Sequence, residues 1–381
     1  MHILTISEVY PSKNSPQYGI FIKQQMDELK GFGHKIDVLM PTRGNSNTAV
    51  VETAFDGIRV FSVGYRVNRY ELFLKQIAHS VYQQLKSLIV QNKYELLAVH
   101  ITGDAILKII VDIGNELGIA VVAHYHGLNV WKEYVSSHRI REAFYAKRRT
   151  IMLKKTQAII GVSNKVSNIV QKRIKDVPVY TVYNGVETQL FYSQVKKENY
   201  FTIVGVGNLI PIKGFSFLIE AFAKIYEKNK NSRLKIIGDG VERALLEDQV
   251  NNKKLSDVVT FFGKIPYEEV ANEMRNSQLF ILPSYYEAIG CVYLEAMACG
   301  IPTIGVKGMG VDEIIIDGEN GLLVEQKNVD SIVKQIERVI NDKELAEKLS
   351  KNGRETALKY TWKNSAKELD KVYEQVVNTG R

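Results

Sequence analysis

The sequence predicts an α/β protein built from two Rossmann-like domains that face each other across a cleft. At 381 residues the chain exceeds what a single hydrophobic core usually organises. Its first half alternates short apolar runs with helical patterns, and the same alternation begins again at YFTIVGVGNL (200–209). The first set runs HILTIS, QYGIFIKQQMDELKGFG, KIDVLMP, an amphipathic stretch over 72–92, ELLAVHI, AILKIIVDIGNELG and IAVVAHYHG. The second continues with SFLIEAFAKIYEKN, RLKIIGDG, ERALLEDQVNNKK, VVTFFGKI, YEEVANEMRNS, a dense block at 279–302, IPTIGVK, EIIIDGENGLLV and helices near 330–341 and 343–359. Strand–helix alternation of this kind gives a parallel sheet covered on both faces. The polar, aperiodic FYSQVKKEN (191–199) marks the boundary, placing the domains at 1–190 and 191–361, with an amphipathic helix over about 362–381. Open parallel sheets bind ligands beyond the carboxyl ends of their strands, so the motifs that follow strands are expected at the cleft.

Composition narrows the function classes. Hydrophobic residues at 45% and charged ones at 24% describe a globular protein. The only cysteines, Cys291 and Cys299, share one short helical region, which is neither a disulfide framework nor a zinc ligand set and fits a reducing cytoplasm. No apolar run approaches the roughly 20 residues of a membrane span, and MHILTIS reads as a buried first strand rather than a signal peptide. Residues 1–190 carry 24 Lys and Arg against 15 Asp and Glu, leaving 26 against 27 for the remainder. A basic first half beside a neutral second half suggests an acidic partner for the first domain.

The densest chemistry lies in LPSYYEAIGCVYLEAMACGIP (282–302). Glu287 and Glu295 stand eight residues apart, with Gly290 where an irregular stretch becomes the helix VYLEAMA. The first amides of that helix, at Cys291, Val292 and Tyr293, lack intrahelical partners, and the helix dipole adds partial positive charge there, which suits a diphosphate. Gly290 permits close approach of the ligand. Glu295, one turn in, leans back toward the same place and requires something other than phosphate to bind, such as sugar hydroxyls. A nucleotide sugar satisfies both demands, although either carboxylate alone also fits an ordinary solvated or first-turn glutamate.

This block resembles the E-x7-E motif of retaining glycosyltransferases of family 4, whose GT-B fold consists of two facing Rossmann-like domains. The resemblance extends from about Tyr10 to the end of the chain. It implies that the terminal helix returns to the first domain, that Glu295 holds ribose hydroxyls and that Glu287 contacts the donor sugar. Gly205–Gly214, GVGNLIPIKG, corresponds to the family's G-R-L-x-x-x-K-G, in which Arg and Lys grip the diphosphate. Lys213 matches and Gly207 keeps the glycine turn, but Asn208 stands where the Arg is usual and cannot neutralise charge. The third glycine of a dinucleotide fingerprint is absent, since Ile210 occupies it, so an NAD enzyme is disfavoured.

Further positions follow from the same resemblance. His126, before Gly127 and after the strand IAVVA, matches a histidine near the reacting sugar, where positive charge or a donated hydrogen bond would stabilise the leaving diphosphate. Gly19, in YPSKNSPQYGIF, matches a loop glycine at the donor phosphate, within wording similar to enzymes of bacterial surface polysaccharides. Gly240, in Gly238-Asp239-Gly240, is expected to line the nucleotide pocket, and Gly308 to Glu313 resembles a glycine-rich turn ahead of a helix carrying EII.

The resemblance thus implies transfer of a sugar, with retention, from a UDP-sugar in preference to a GDP-sugar, to a lipid-linked or polysaccharide acceptor of cell-surface glycan synthesis. It also implies no metal or other cofactor, and no Asp-x-Asp argues for one. The basic, apolar-interleaved RIREAFYAKRRTIMLKK (139–155) reads as a face for the inner surface of the plasma membrane. No nucleic-acid module accompanies that charge. A sugar-nucleotide epimerase or hydrolase of the same fold, and a non-catalytic binder of anionic ligands such as nucleic acid, remain as alternatives.

Overall fold

The computed structural model describes residues 1–379 except 14, 45–47, 66–74, 101, 129, 132–138 and 195–199. Two compact units result: Met1–Tyr183 with Ser365–Arg381, and Asn184–Asn364. Part of the polar stretch read as a boundary, 195–199, lies outside the described residues.

The first unit is a sheet of β1 (His2–Ile6), β2 (Lys35–Arg43), β3 (Val51–Phe55), β4 (Ile58–Tyr65), β5 (Leu96–Val99), β6 (Ala120–Tyr125), β7 (Ala158–Gly161) and β8 (Val179–Thr181), in the order β3-β4-β2-β1-β5-β6-β7-β8. Its helices are α1 (Ile20–Gly31), α2 (Lys75–Asn92), α3 (Asp104–Leu117), α4 (Arg139–Leu153) and α5 (Asn164–Gln171). The central pairings are parallel, with Ile3 opposite both Ile36 and Leu96, and Val99 opposite Ala123. The edge differs from the expected all-parallel sheet, because β3 runs antiparallel to β4. Asp56 and Gly57 join them with φ of 50° and 73°. That two-residue turn is the Asp-Gly hairpin chemistry that matches strand twist.

The second unit repeats the scheme with β9 (Phe201–Val206), β10 (Ser232–Ile237), β11 (Val259–Gly263), β12 (Leu279–Ile281), β13 (Thr303–Val306) and β14 (Leu322–Val324), ordered β11-β10-β9-β12-β13-β14 and parallel throughout. Helices α6 (Phe215–Lys228), α7 (Arg243–Asn252), α8 (Tyr267–Arg275), α9 (Cys291–Ala298), α10 (Val329–Asn341) and α11 (Lys343–Ala357) complete it. The order reverses at β9, flanked by β10 and β12, and this is the switch point where open sheets take ligands. The helix expected to carry EII is absent: Gly310–Glu313 is itself a single 3-10 turn, and Ile315 and Ile316 follow outside any helix or strand.

Helix α12 (Trp362–Thr379) supplies core to the first unit. Its Ala366, Leu369, Val372, Tyr373, Val376 and Val377 are buried in one cluster with Ile3, Ile22, Met26 and Val122. Burying its Leu and Val side chains contributes about 1.5–3 kcal/mol each. Gln25 Nε2 donates to Ser365 Oγ at 2.9 Å, and that hydroxyl donates to the Tyr183 carbonyl at 2.6 Å, fixing where the helix enters.

Candidate active site

In the second unit the predicted residues gather beyond β9 and β12. Gly290, at φ 67°, caps the start of α9. A Cβ there would stand 2.8 Å from the Tyr293 ring and 3.2 Å from Glu287 Cδ, so the glycine lets Glu287 fold back over the helix start. Gly310 presses on the same loop: its amide donates to the Glu287 carbonyl at 3.0 Å, and a Cβ on it would overlap the Ala288 carbonyl oxygen at 1.4 Å. Tyr293 Oη donates to the Leu282 carbonyl at 2.7 Å and pins the helix to the end of β12. The Tyr293 amide bonds the Gly290 carbonyl at 3.1 Å, so it is not one of the orphan amides expected from the sequence; the amides of Cys291 and Val292 precede the helical ladder.

The two glutamates have different surroundings. Glu287 Oε2 accepts from Lys213 Nζ at 2.5 Å, both side chains being largely covered. Lys213 ends the 3-10 turn Pro211–Lys213, which Gly214 (φ 73°) closes against the Pro283 carbonyl. Glu295 is 7% exposed and accepts from Tyr267 Oη at 2.7 Å. Burial lifts its carboxyl to about 7 despite that bond. Cys291 lies between them. Its thiol is pushed up to about 12 by burial and by the charges of Glu295 and Glu287, while Asn184 Nδ2 donates to Sγ at 3.4 Å.

The glycines of the neighbouring loops divide into two kinds. A Cβ on Gly238 would meet the Gly207 carbonyl at 2.0 Å, and one on Gly240 the Leu209 carbonyl at 2.4 Å, so these two clamp the loop after β9. A Cβ on Gly207 would make ordinary contacts, with Leu282 at 3.7 Å and Phe215 at 3.8 Å, so packing does not demand a glycine there. Asn208 is exposed at the tip of this loop.

In the first unit the strand ends bring together three histidines. The β5–β6 register, continued one residue, sets His100 beside His124, and His126 lies on the same face two residues on. The His100 and His124 rings stack with centroids 4.0 Å apart and planes 16° from parallel. His100 Nδ1 lies 3.0 Å from His126 Nε2, and Tyr373 Oη lies 2.8 Å from His124 Nε2. Burial holds the His126 ring at about 4 and pushes His100 and His124 well below the usual range, so all three are neutral. Phe21 of α1 packs on His126 at 5.0 Å. Gly19, the N-cap of α1 at φ 79°, has its Cβ direction filled by the Val9 carbonyl 2.6 Å away, so the chain's own packing requires it.

The pattern described as glycosyl transferases group 1 matches residues 186–356, and that of glycosyltransferase family 4 matches 19–190. An uncharacterised glycosyltransferase of Methanocaldococcus jannaschii is 32% identical over 69% of this chain and 70% of its own length. The chain is a group 1 glycosyltransferase of family 4. The N-acetyl-α-D-glucosaminyl L-malate synthase of Bacillus anthracis is 29% identical over about half of each chain, 54% and 55%. Among solved structures, sucrose-phosphate synthase from Thermosynechococcus elongatus superposes over 100% of both chains with a TM-score of 0.80 at 23% identity. Anabaena HepE, solved in complex with UDP-glucose, covers 98% of this chain and 100% of its own with a TM-score of 0.74 at 17% identity. The fold is GT-B.

Within this glycosyltransferase, Gly207, Asn208, Lys213, Gly240, Glu287, Gly290, Cys291, Val292 and Glu295 all belong to the second unit, and Gly19 and His126 to the first. Sequence reasoning missed Tyr267, whose bond to Glu295 crosses 28 residues and carries no local signal. His100, at the end of ELLAVHI, was missed as well, because only the β5–β6 register sets it beside His124. Glu8 was also missed; its Oε1 accepts from Tyr65 Oη at 2.5 Å and from the Gly103 amide at 2.8 Å, so it is fixed at the end of the first unit's sheet. Among the described residues no helix is long and apolar enough to cross a membrane.

Proposed function

We propose that this enzyme is a retaining glycosyltransferase that moves a sugar from a UDP-sugar to a hydroxyl of a lipid-linked or polysaccharide intermediate in cell-surface glycan synthesis. The observation that carries the reading is the pairing of Lys213 with Glu287 over the start of α9, with Glu295 buried in that same helix. The diphosphate would take the amides of Gly290, Cys291 and Val292 and draw Lys213 from Glu287, freeing that carboxylate for the donor sugar's hydroxyls. Ribose hydroxyls would donate to Glu295. Gly207 and Gly240 would shape the loop beside the nucleotide, and Asn208 would add a hydrogen bond without charge. His126 would donate toward the reacting oxygens, and Gly19 shapes the loop beside it. Lys213 and the helix start meet the diphosphate charge, so the proposed transfer runs without a metal.

In the proposed step the bond from the anomeric carbon to the diphosphate oxygen breaks while the acceptor oxygen bonds the same face, and the acceptor's proton passes to the leaving phosphate. The preference for UDP is supported by Anabaena HepE, solved with UDP-glucose, and by the pneumococcal O-GlcNAc transferase GtfA, solved with UDP and GlcNAc. The exposed Lys147, Ile151, Lys154 and Lys155 on and just after α4 support attachment to an anionic lipid surface on the cytoplasmic side. A thermal-shift screen of UDP- and GDP-sugars, followed by product anomer assignment with EDTA present, tests the reading. Stabilisation by a UDP-sugar and a retained anomer are expected; no nucleotide response, or inversion, would overturn it.

A further inference from the structure

The two oxygens of Glu295 are treated differently by the protein. Oε1 accepts from Tyr267 Oη at 2.7 Å, whereas Oε2 has no hydrogen-bond partner among the described residues and is not sealed from solvent. One phenolic hydrogen leaves most of a carboxylate's accepting capacity unused. A structural task does not account for the arrangement. Leucine at 295 would fill the same part of α9 without burying a carboxylate, whose loss of water lifts it to about 7. Packing holds the Tyr267 ring on its own, since it rests edge-on against the buried Phe191 with centroids 5.1 Å apart. What the phenol adds over a phenylalanine is the bond to Glu295. Tyr267 opens α8 directly after Pro266, and Glu295 lies in α9, which Tyr293 pins to the end of β12, so the bond joins two separately anchored elements. Helical side chains lean toward the N-terminus, and the charge of Glu295 acts on the Cys291 thiol at the start of α9. The carboxylate therefore stands beside that helix start.

We propose that Tyr267 is a positioning residue for the nucleotide: by occupying Oε1 of Glu295 it fixes the carboxylate so that Oε2 receives a ribose hydroxyl. The proposal rests on the reading that Glu295 meets the ribose. A donor on Oε1 also favours the ionised carboxylate against the burial that opposes it. Loss of the phenol then acts twice, because the carboxylate's orientation relaxes and its protonation sets in at higher pH.

The test measures Kd by calorimetry for UDP and for 2′,3′-dideoxy-UDP, which share base and diphosphate and differ in the ribose hydroxyls. A change that merely loosens the fold weakens both nucleotides alike and leaves the ratio of their Kd values where it was. In the wild type the preference for UDP should fade as pH drops below about 7, where Glu295 takes a proton. Tyr267→Phe, which keeps the ring against Phe191, is expected to cut that preference about tenfold at neutral pH and to move its midpoint to higher pH, with dideoxy-UDP bound as before. A folded Tyr267→Phe protein with preference and midpoint unchanged would overturn the proposal. So would tighter binding of UDP, which would make the tyrosine a competitor of the ribose. If Tyr267→Phe does not fold, Tyr267→Lys, of similar reach and with an ammonium donor, decides: a preference kept upholds the assignment and one lost overturns it. An undiminished preference in Glu295→Ala would remove the underlying reading, a separate result from any seen at position 267.

Discussion

The two units place chemistry at the same position, the carboxyl ends of parallel strands, by opposite electrostatic means. In the second unit a charged pair, Lys213 and Glu287, sits under partial cover with a helix start beside it. In the first, three imidazoles are desolvated until none holds a charge. Under the proposed function, a diphosphate gains from formal charges that it can exchange. A group proposed to donate a hydrogen bond gains from a neutral ring.

The largest effect should separate the loops that carry these groups. Gly310→Ala would drive a methyl into the Ala288 carbonyl and is expected to cost upward of about 3 kcal/mol, whereas Gly127→Ala, with nothing within 4 Å, should change stability little. Urea unfolding of both variants checks this, and equal stabilities would erase the contrast. Next, Glu287→Ala should fold yet reduce turnover about a hundredfold, because it loses contacts to the donor sugar and leaves Lys213 unpaired. Wild-type transfer by that variant would remove the carboxylate from the site.

The units should also respond to pH in opposite directions. His126, ordinarily near 6.5, is held at about 4. Above 6.5 it is neutral in both folded and unfolded chain, and as pH falls toward 4 the unfolded chain takes a proton that the folded one refuses. Its contribution is then lost at about 1.4 kcal/mol per pH unit. Glu295, ordinarily near 4.5, is raised to about 7, so it favours folding below 4.5 and loses that contribution as pH rises toward 7. Hydrogen exchange resolved by unit between pH 4 and 8 would show the crossing, and parallel slopes would sink it. A smaller gain is expected from Asn208→Arg, which should tighten UDP by about 1 kcal/mol through one added charge on phosphate, measured by calorimetry. The smallest effect is none: Cys291, with its thiol pushed to about 12, should resist iodoacetamide at neutral pH without loss of activity.

Legibility differed in the same way. The second unit's residues were readable because their spacing is local: Glu287, Gly290 and Glu295 fall within one loop and one helix, and Lys213 lies in the connection between one strand and the next helix. The strand–helix alternation likewise exposed both sheets, although the Asp56-Gly57 hairpin escaped notice between better patterns. What stayed hidden was set by register and by distant contacts. Only the β5–β6 pairing makes His100 a neighbour of His124, and only the fold brings Tyr267 to Glu295 or Tyr373 to His124. Gly19 also answers a packing demand that the sequence did not show, since the Val9 carbonyl fills its Cβ direction.

Helix α12 has a consequence for biogenesis. Because Ala366, Leu369, Val372 and Tyr373 close a core otherwise made from residues 3–182, the nascent first unit leaves the ribosome with an open groove and waits through synthesis of the entire second unit. Until those late residues emerge, His124 has no tyrosine to hold it, so the histidine stack is completed as one of the final events of folding, and translation that stops near residue 360 leaves that stack unanchored.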